Sequence, residues 1–153
     1  MNVKASNIIF SIYILISFYV FGGSMVNSLV GYRTWRYVGE NEFVRFHQVD
    51  SSQIIPVFVI FFFILIVPLI LLFWFRPLII PRWLIWIALF FYAINLISTI
   101  AIQIPIQLEL GKGYSLELID KLIWTDLIFR RTTITLITAI NFVMLYKVVS
   151  NSK

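Results

Sequence analysis

Residues 34–50 read TWRYVGENEFVRFHQVD, and what this stretch is decides how the chain folds. It is the longest polar interruption between two strongly apolar runs. It holds the one histidine, His47, with Arg36, Glu40, Glu42, Arg45 and Asp50 close by. On either side the sequence reads as membrane.

Composition supports that contrast. The chain has 153 residues, 61% hydrophobic and 12% charged, with a positive mean hydropathy. A soluble domain carries roughly 25% charged residues, so this chain cannot coat a globule with polar side chains. It has runs near the roughly 20 residues that a helix needs to cross a bilayer core. The class is therefore an integral membrane protein, in a plasma or inner membrane. A net charge of +5 raises the question of nucleic acid, but no dense basic cluster supports it. With no cysteine, disulfide chemistry, iron–sulfur clusters and thiolate zinc are excluded.

Working outward, four apolar runs frame the polar stretch: 7–30, 54–75, 83–106 and 132–149. We expect an all-α, four-helix transmembrane bundle in one domain, with a short amphipathic helix in each of the two longer connections. The first run is read as a retained span, since it has no clear small-x-small cleavage site. Tyr13, Ser17, Ser24, Asn27 and Gly31 form its small and polar stripe, which points into the bundle. In the second run Pro56 falls in the first turn and Pro68 kinks the span. The third carries Tyr92, Asn95, Thr99, Gln103 and Gln107 at helical spacing, with Pro105 ending the regular helix. Ser115 caps a helix through residues 116–131, where Glu117–Lys121 and Asp126–Arg130 are i,i+4 pairs. Arg131, Thr135 and Thr138 share a face of the fourth run, with Asn141 near it.

Four spans place both ends on one side, with Lys4, Arg76, Arg82, Lys147 and Lys153 and no acid. The other side carries seven basic residues and all seven acids. The density of lysine and arginine on short segments puts both termini in the cytoplasm.

The candidate chemistry lies on the opposite side. Glu40, Phe43, His47 and Asp50 share one helical face, and an imidazole beside carboxylates is an acid–base unit. The plainer reading makes His47 an interfacial residue with a local hydrogen bond. Asp126 and Arg130 are either a functional pair or a simple ion pair at the hydrocarbon edge, with Arg131 reaching to headgroups. Asn27, Gln103 and Gln107 serve either a ligand or helix–helix bonding. One histidine does not make a di-iron site, which wants two Glu-x-x-His motifs. A single axial haem ligand is the most His47 offers. No cofactor is expected.

Two segments carry a resemblance. TWRYVGENEFVRFHQ (34–48) follows the first span, and IPIQLELGKGYSLELIDKLIWTDLIFRRTT (104–133) leads into the last. With the order of the four runs, they resemble the anthrone-oxygenase-like family of small membrane proteins. The resemblance covers the layout of nearly the whole chain. It implies oxidation of an activated CH₂ by molecular oxygen without metal or flavin. It also implies His47 as the base, with Trp35, Arg36, Gln103, Gln107, Asp126 and Arg130 around an enolate.

Together these readings give a pocket for a small lipophilic ligand, polar at its mouth. His47, Asp126 and Arg130 are the candidate catalytic residues. Asn27, Trp35, Arg36, Glu42, Gln103, Gln107 and Arg131 are the candidate ligand-binding residues. With the resemblance, the expected function is that of a cofactor-independent oxygenase of phenolic or quinol-like compounds. The alternative is a non-catalytic module, either a lipid- or sterol-type binder or a subunit that stabilises a partner. Expected partners are membrane lipid, the ligand and a second copy of the chain.

Overall fold

In the computed structural model, which describes residues 3–151, four long helices alternate up and down. They are α1 (Val3–Tyr37), α2 (Glu40–Phe75), α3 (Arg82–Leu110) and α4 (Leu116–Ser150). All four are long and apolar enough to cross a membrane, which makes this an integral membrane protein. Both described ends lie on the side of the Arg76–Pro81 turn; Lys153 is outside the described residues.

The expected amphipathic helices exist, at Glu40–Ile54 and Leu116–Thr125, but they run without a break into the spans that follow. Ser115 caps the second of them by accepting from the Leu118 amide. At about 1.5 Å per residue, the 35 residues of α1 and α4 reach about 50 Å. That exceeds the roughly 30 Å hydrocarbon core. The surplus lies mainly on the side opposite the termini, here called the cap.

The bundle has two cores. In the membrane, Tyr13, Val20, Leu65, Leu69, Ile85, Ala88 and Ile137 pack together. In the cap, Tyr32, Trp35, Phe43, Ile106, Leu110, Ile119 and Leu122 form a second cluster. Across the membrane core, the Tyr13 hydroxyl donates to Asn141 Oδ1 at 2.7 Å, and Asn141 Nδ2 donates to Ser17. These polar groups face the bundle because lipid offers them no partner.

Every long helix contains one turn of π-helix: Asn27–Gly31, Ile55–Val59, Thr99–Gln103 and Asp126–Arg131. Two of these change the reading of prolines. Pro56 is not in a first turn, because α2 starts at Glu40. It sits inside the π-turn, where its missing N–H is absorbed by rewinding. Pro105 does not end the third helix. The Thr99–Gln103 π-turn lies just before it, and the helix continues to Leu110. One residue, Leu65, three positions before Pro68, drops out of the regular helix, which then continues to Phe75.

An extra residue in a π-turn also shifts the helical phase. In α4 the buried face is Asp126, Arg130, Thr133, Ile137 and Asn141. Arg131 is half-buried and Thr135 exposed, so the expected Arg131–Thr135–Thr138 face is displaced to the flank. In α1 the inward residues after Ser24 are Ser28 and Tyr32, with Asn27 half-buried at the edge. Glu117 and Lys121 form no ion pair within 4 Å among the described residues; Asp126 and Arg130 do, at 3.2 Å.

Asn141→Ala removes the partner of both Tyr13 and Ser17. It should lower unfolding stability in micelles by about 1 kcal/mol, whereas Thr135→Ala on the exposed flank should change it by less than about 0.5 kcal/mol.

Candidate functional site

A cavity of about 280 Å³ lies where the membrane core meets the cap core. Each helix contributes through or beside its π-turn: Ser24, Asn27, Tyr32 and Trp35 from α1; Asp50, Ile55, Phe58 and Phe62 from α2; Asn95, Thr99, Gln103 and Gln107 from α3; and Arg130 and Ile134 from α4. π-turns concentrate at functional sites because they re-aim side chains and widen the helix locally.

Beyond the Arg76–Pro81 turn, beside which Phe73 and Trp86 meet edge to face with ring centres 4.7 Å apart, helices α2 and α3 touch at two levels. Below, the Tyr92 hydroxyl donates to the Phe62 carbonyl at 2.6 Å, and the two rings stack. Above, His47 Nε2 lies 2.8 Å from Gln107 Oε1. Since that oxygen only accepts, the proton of this bond sits on Nε2. Between these levels the two helices do not pack closely, and the cavity occupies the space. Its margin includes Ile55, Phe63 and Ile104, which are also exposed on the outside of the bundle. These residues belong to the second and third apolar runs, and the half-buried Asp50 and Ser51 also line the cavity, so the opening is sideways, between α2 and α3.

The α4 wall is built around an ion pair. Arg130 Nε lies 3.2 Å from Asp126 Oδ1, and its Nη1 donates to the Tyr32 hydroxyl at 3.1 Å. The guanidinium also sits over the Tyr32 ring, 5.7 Å from its centre. The Ser28 hydroxyl donates to Asp126 Oδ2. Both charges are buried, and each is held by a neutral hydroxyl as well as by the other. The Arg130 carbonyl accepts from Asn95 Nδ2 at 3.0 Å. This ties the π-turn of α4 to α3.

Five of the candidate residues line the cavity: Asn27, Trp35, Gln103, Gln107 and Arg130. His47 and Asp126 lie behind its wall. His47 is enclosed by Trp35 and Phe43, with ring centres 5.1 and 5.8 Å away, and adjoins the cavity through Trp35 and its hydrogen bond to Gln107. Asp126 reaches it only through Arg130. Arg36, Glu42 and Arg131 lie off the site. Arg36 pairs with Asp120 at 2.6 Å on the cap surface, where such pairs contribute about 0–1 kcal/mol. Glu42 is exposed in the first turn of α2, where the helix dipole favours a carboxylate. Arg131, the last residue of the π-turn, is half-buried and does not line the cavity. Among the described residues no group of three metal-ligating side chains occurs.

Tyr32, Asn95, Thr99 and Asp50 join the wall without having been singled out as site residues. Asn95 and Thr99 were visible in the polar stripe, and Asp50 on the His47 face. Tyr32 had no sequence signal. Two glycines shape the cavity. A Cβ on Gly23 would stand 2.7 Å from the Phe58 ring, and one on Gly31 would stand 2.8 Å from Asn27 Oδ1. Both positions therefore leave room for wall side chains.

Comparison with known families, characterised proteins and solved structures returns no match to this chain.

Arg130→Leu strands a buried Asp126 and should cost about 3 kcal/mol or more; the double variant Asp126→Leu/Arg130→Leu should recover much of that. Thermal unfolding of both in the same detergent checks the order. A double variant less stable than Arg130→Leu would mean that the pair contributes more than its mutual neutralisation.

Proposed function

We propose that this protein takes up a small lipophilic ligand with a polar head from the bilayer and holds it between α2 and α3. The observation that carries this reading is the sideways opening of a largely apolar cavity within the span of two membrane helices. A water-borne ligand would need an entrance through the cap, where the aromatic core and the His47–Gln107 bond lie instead. The size suits a compact molecule: a cavity of about 150 Å³ accepts benzene, and drug-sized sites begin near about 300 Å³.

A second, catalytic reading has its own support. Trp35, Gln103, Gln107 and Arg130, all implied by the resemblance to anthrone-oxygenase-like proteins, line one cavity. In this reading the protein is a cofactor-independent oxygenase of phenolic or quinol-like compounds. Oxygen converts a CH₂ to a carbonyl, with the second oxygen atom leaving as water. Asp50, the one carboxylate on the wall and one helical turn from His47, then takes the proton. His47 acts from behind by orienting Gln107. A non-catalytic binder, or a subunit that stabilises a partner, needs neither Asp50 nor His47.

In the proposed orientation both termini are cytoplasmic and the cap faces away from the cytoplasm, following the density of Lys and Arg on the short segments. A periplasmic-type phosphatase fused after the last residue should be inactive; an active fusion reverses the orientation.

Native mass spectrometry of detergent-purified protein, with extraction of the same sample, tests the uptake reading. One compact molecule per chain is the expected result. Gly23→Leu, which drives a side chain against Phe58, should lower its occupancy severalfold. Unchanged occupancy would mean that the molecule sits elsewhere. If an oxygen-consuming activity appears with that molecule, Asp50→Asn should abolish it and His47→Ala should reduce it. Full activity in both variants ends the catalytic reading.

A further inference from the structure

Gln103 is 1% exposed and lines the cavity, yet neither its Nε2 nor its Oε1 has a hydrogen-bond partner among the described residues. Thr99, one turn earlier on the same wall, has a hydroxyl in the same condition. Buried polar groups left unpaired are costly and uncommon. An amide presents a donor and an acceptor side by side, so the group that satisfies it must both accept and donate.

Charge narrows the choice. The cavity wall carries one acid, Asp50, and one base, Arg130. Arg130 is already balanced by Asp126 and engaged by Tyr32. An anionic head would compete with Asp126 for a neutralised guanidinium and would also share the cavity with Asp50. A cationic head only donates and would leave Gln103 Nε2 unanswered. Shape narrows it further. Tyr32, Trp35, Phe58, Phe62 and Phe63 supply ring faces and edges, which suit an aromatic guest. A volume of about 280 Å³ holds one or two rings and excludes a phospholipid.

We infer that the ligand is a neutral, hydroxyl-bearing aromatic compound of one or two rings, held at Gln103 and Thr99. Its O–H donates to Gln103 Oε1, and an oxygen of the same head accepts from Nε2 or from the Thr99 hydroxyl. This rests on the reading of the cavity as a lipophilic ligand site.

Three naphthalenes separate the possibilities, using the full chain in lipid nanodiscs at neutral pH and saturable quenching of tryptophan emission. 2-Naphthol keeps donor and acceptor. 2-Methoxynaphthalene keeps only the acceptor, and 2-naphthoate is an anion. 2-Naphthol should bind about tenfold tighter than 2-methoxynaphthalene, with 2-naphthoate weakest. Gln103→Leu should narrow the gap between the first two to about twofold. Should that variant fail to fold, the wild-type series and Thr99→Val, with a smaller loss of 2-naphthol affinity, still decide. Equal binding of 2-methoxynaphthalene, tighter binding of 2-naphthoate, or an unchanged gap in Gln103→Leu overturns the neutral-hydroxyl head and leaves the cavity reading standing. Absence of saturable binding by all three, or binding unaffected by Gly23→Leu, overturns the cavity reading itself.

Discussion

In a bilayer, backbone N–H and C=O groups find no water, so every one must be satisfied within the protein. Much of this structure follows from that constraint. Proline at 56 and 105 removes a donor from the middle of a long helix, and each helix also rewinds once into a π-turn. Side chains take the carbonyls at three of these turns. The Tyr19 hydroxyl reaches Val57 O at 2.6 Å, and the Thr34 hydroxyl reaches Gly31 O at 2.7 Å. In α4, Thr132 and Thr133 donate to the carbonyls of Leu127 and Phe129, and Asn95 donates to that of Arg130. The threonine-rich entry to the fourth span is explained by this bonding. Its hydroxyls largely serve their own backbone.

The cavity is a consequence of the same turns. Straight helices would bring α2 and α3 together along their length. With a bulge in each, they meet at Phe62–Tyr92 and at His47–Gln107 and leave space between. The wall of α4 opposite could be polar because Asp126 and Arg130 neutralise each other. Single buried charges would be prohibitive there, while a hydrogen-bonded pair is tolerable. The pair also joins α1, through Ser28 and Tyr32, to α4. The cap core holds the upper end closed, with Trp35 and Phe43 packed around His47. On the cavity wall, Gln103 and Thr99 are the residues whose side-chain polar atoms are buried and without a hydrogen-bond partner among the described residues.

The candidate residues show where helical spacing can be trusted. Asn27, Gln103 and Gln107 were found from polar residues at three- and four-residue steps, and all three line the cavity. Arg130 and Arg131 could not be ranked in this way. An added residue turns the following face by about 100°, and within the Asp126–Arg131 π-turn Arg130 faces inward and Arg131 sideways. Tyr32 was missed for the same reason: it follows the π-turn of α1. His47 was prominent because it is the one histidine in the chain, which is a signal of chemistry and not of position. Its ring is spent on Gln107 and two aromatic neighbours.

Composition and the length of the apolar runs were enough to determine an all-helical bundle with both ends on one side. Hydrophobic burial in lipid and backbone bonding leave few other solutions for such a chain. The polar stripes of the first and third spans likewise marked which faces turn inward, whereas the Arg131–Thr135–Thr138 stripe of the fourth did not. Only the tertiary structure decided that the connections' helices fuse with the spans, where each helix rewinds, and which charged side chains reach the cavity. Those outcomes depend on the phase of one helix against another, and a single extra residue per π-turn changes that phase without altering composition or average periodicity.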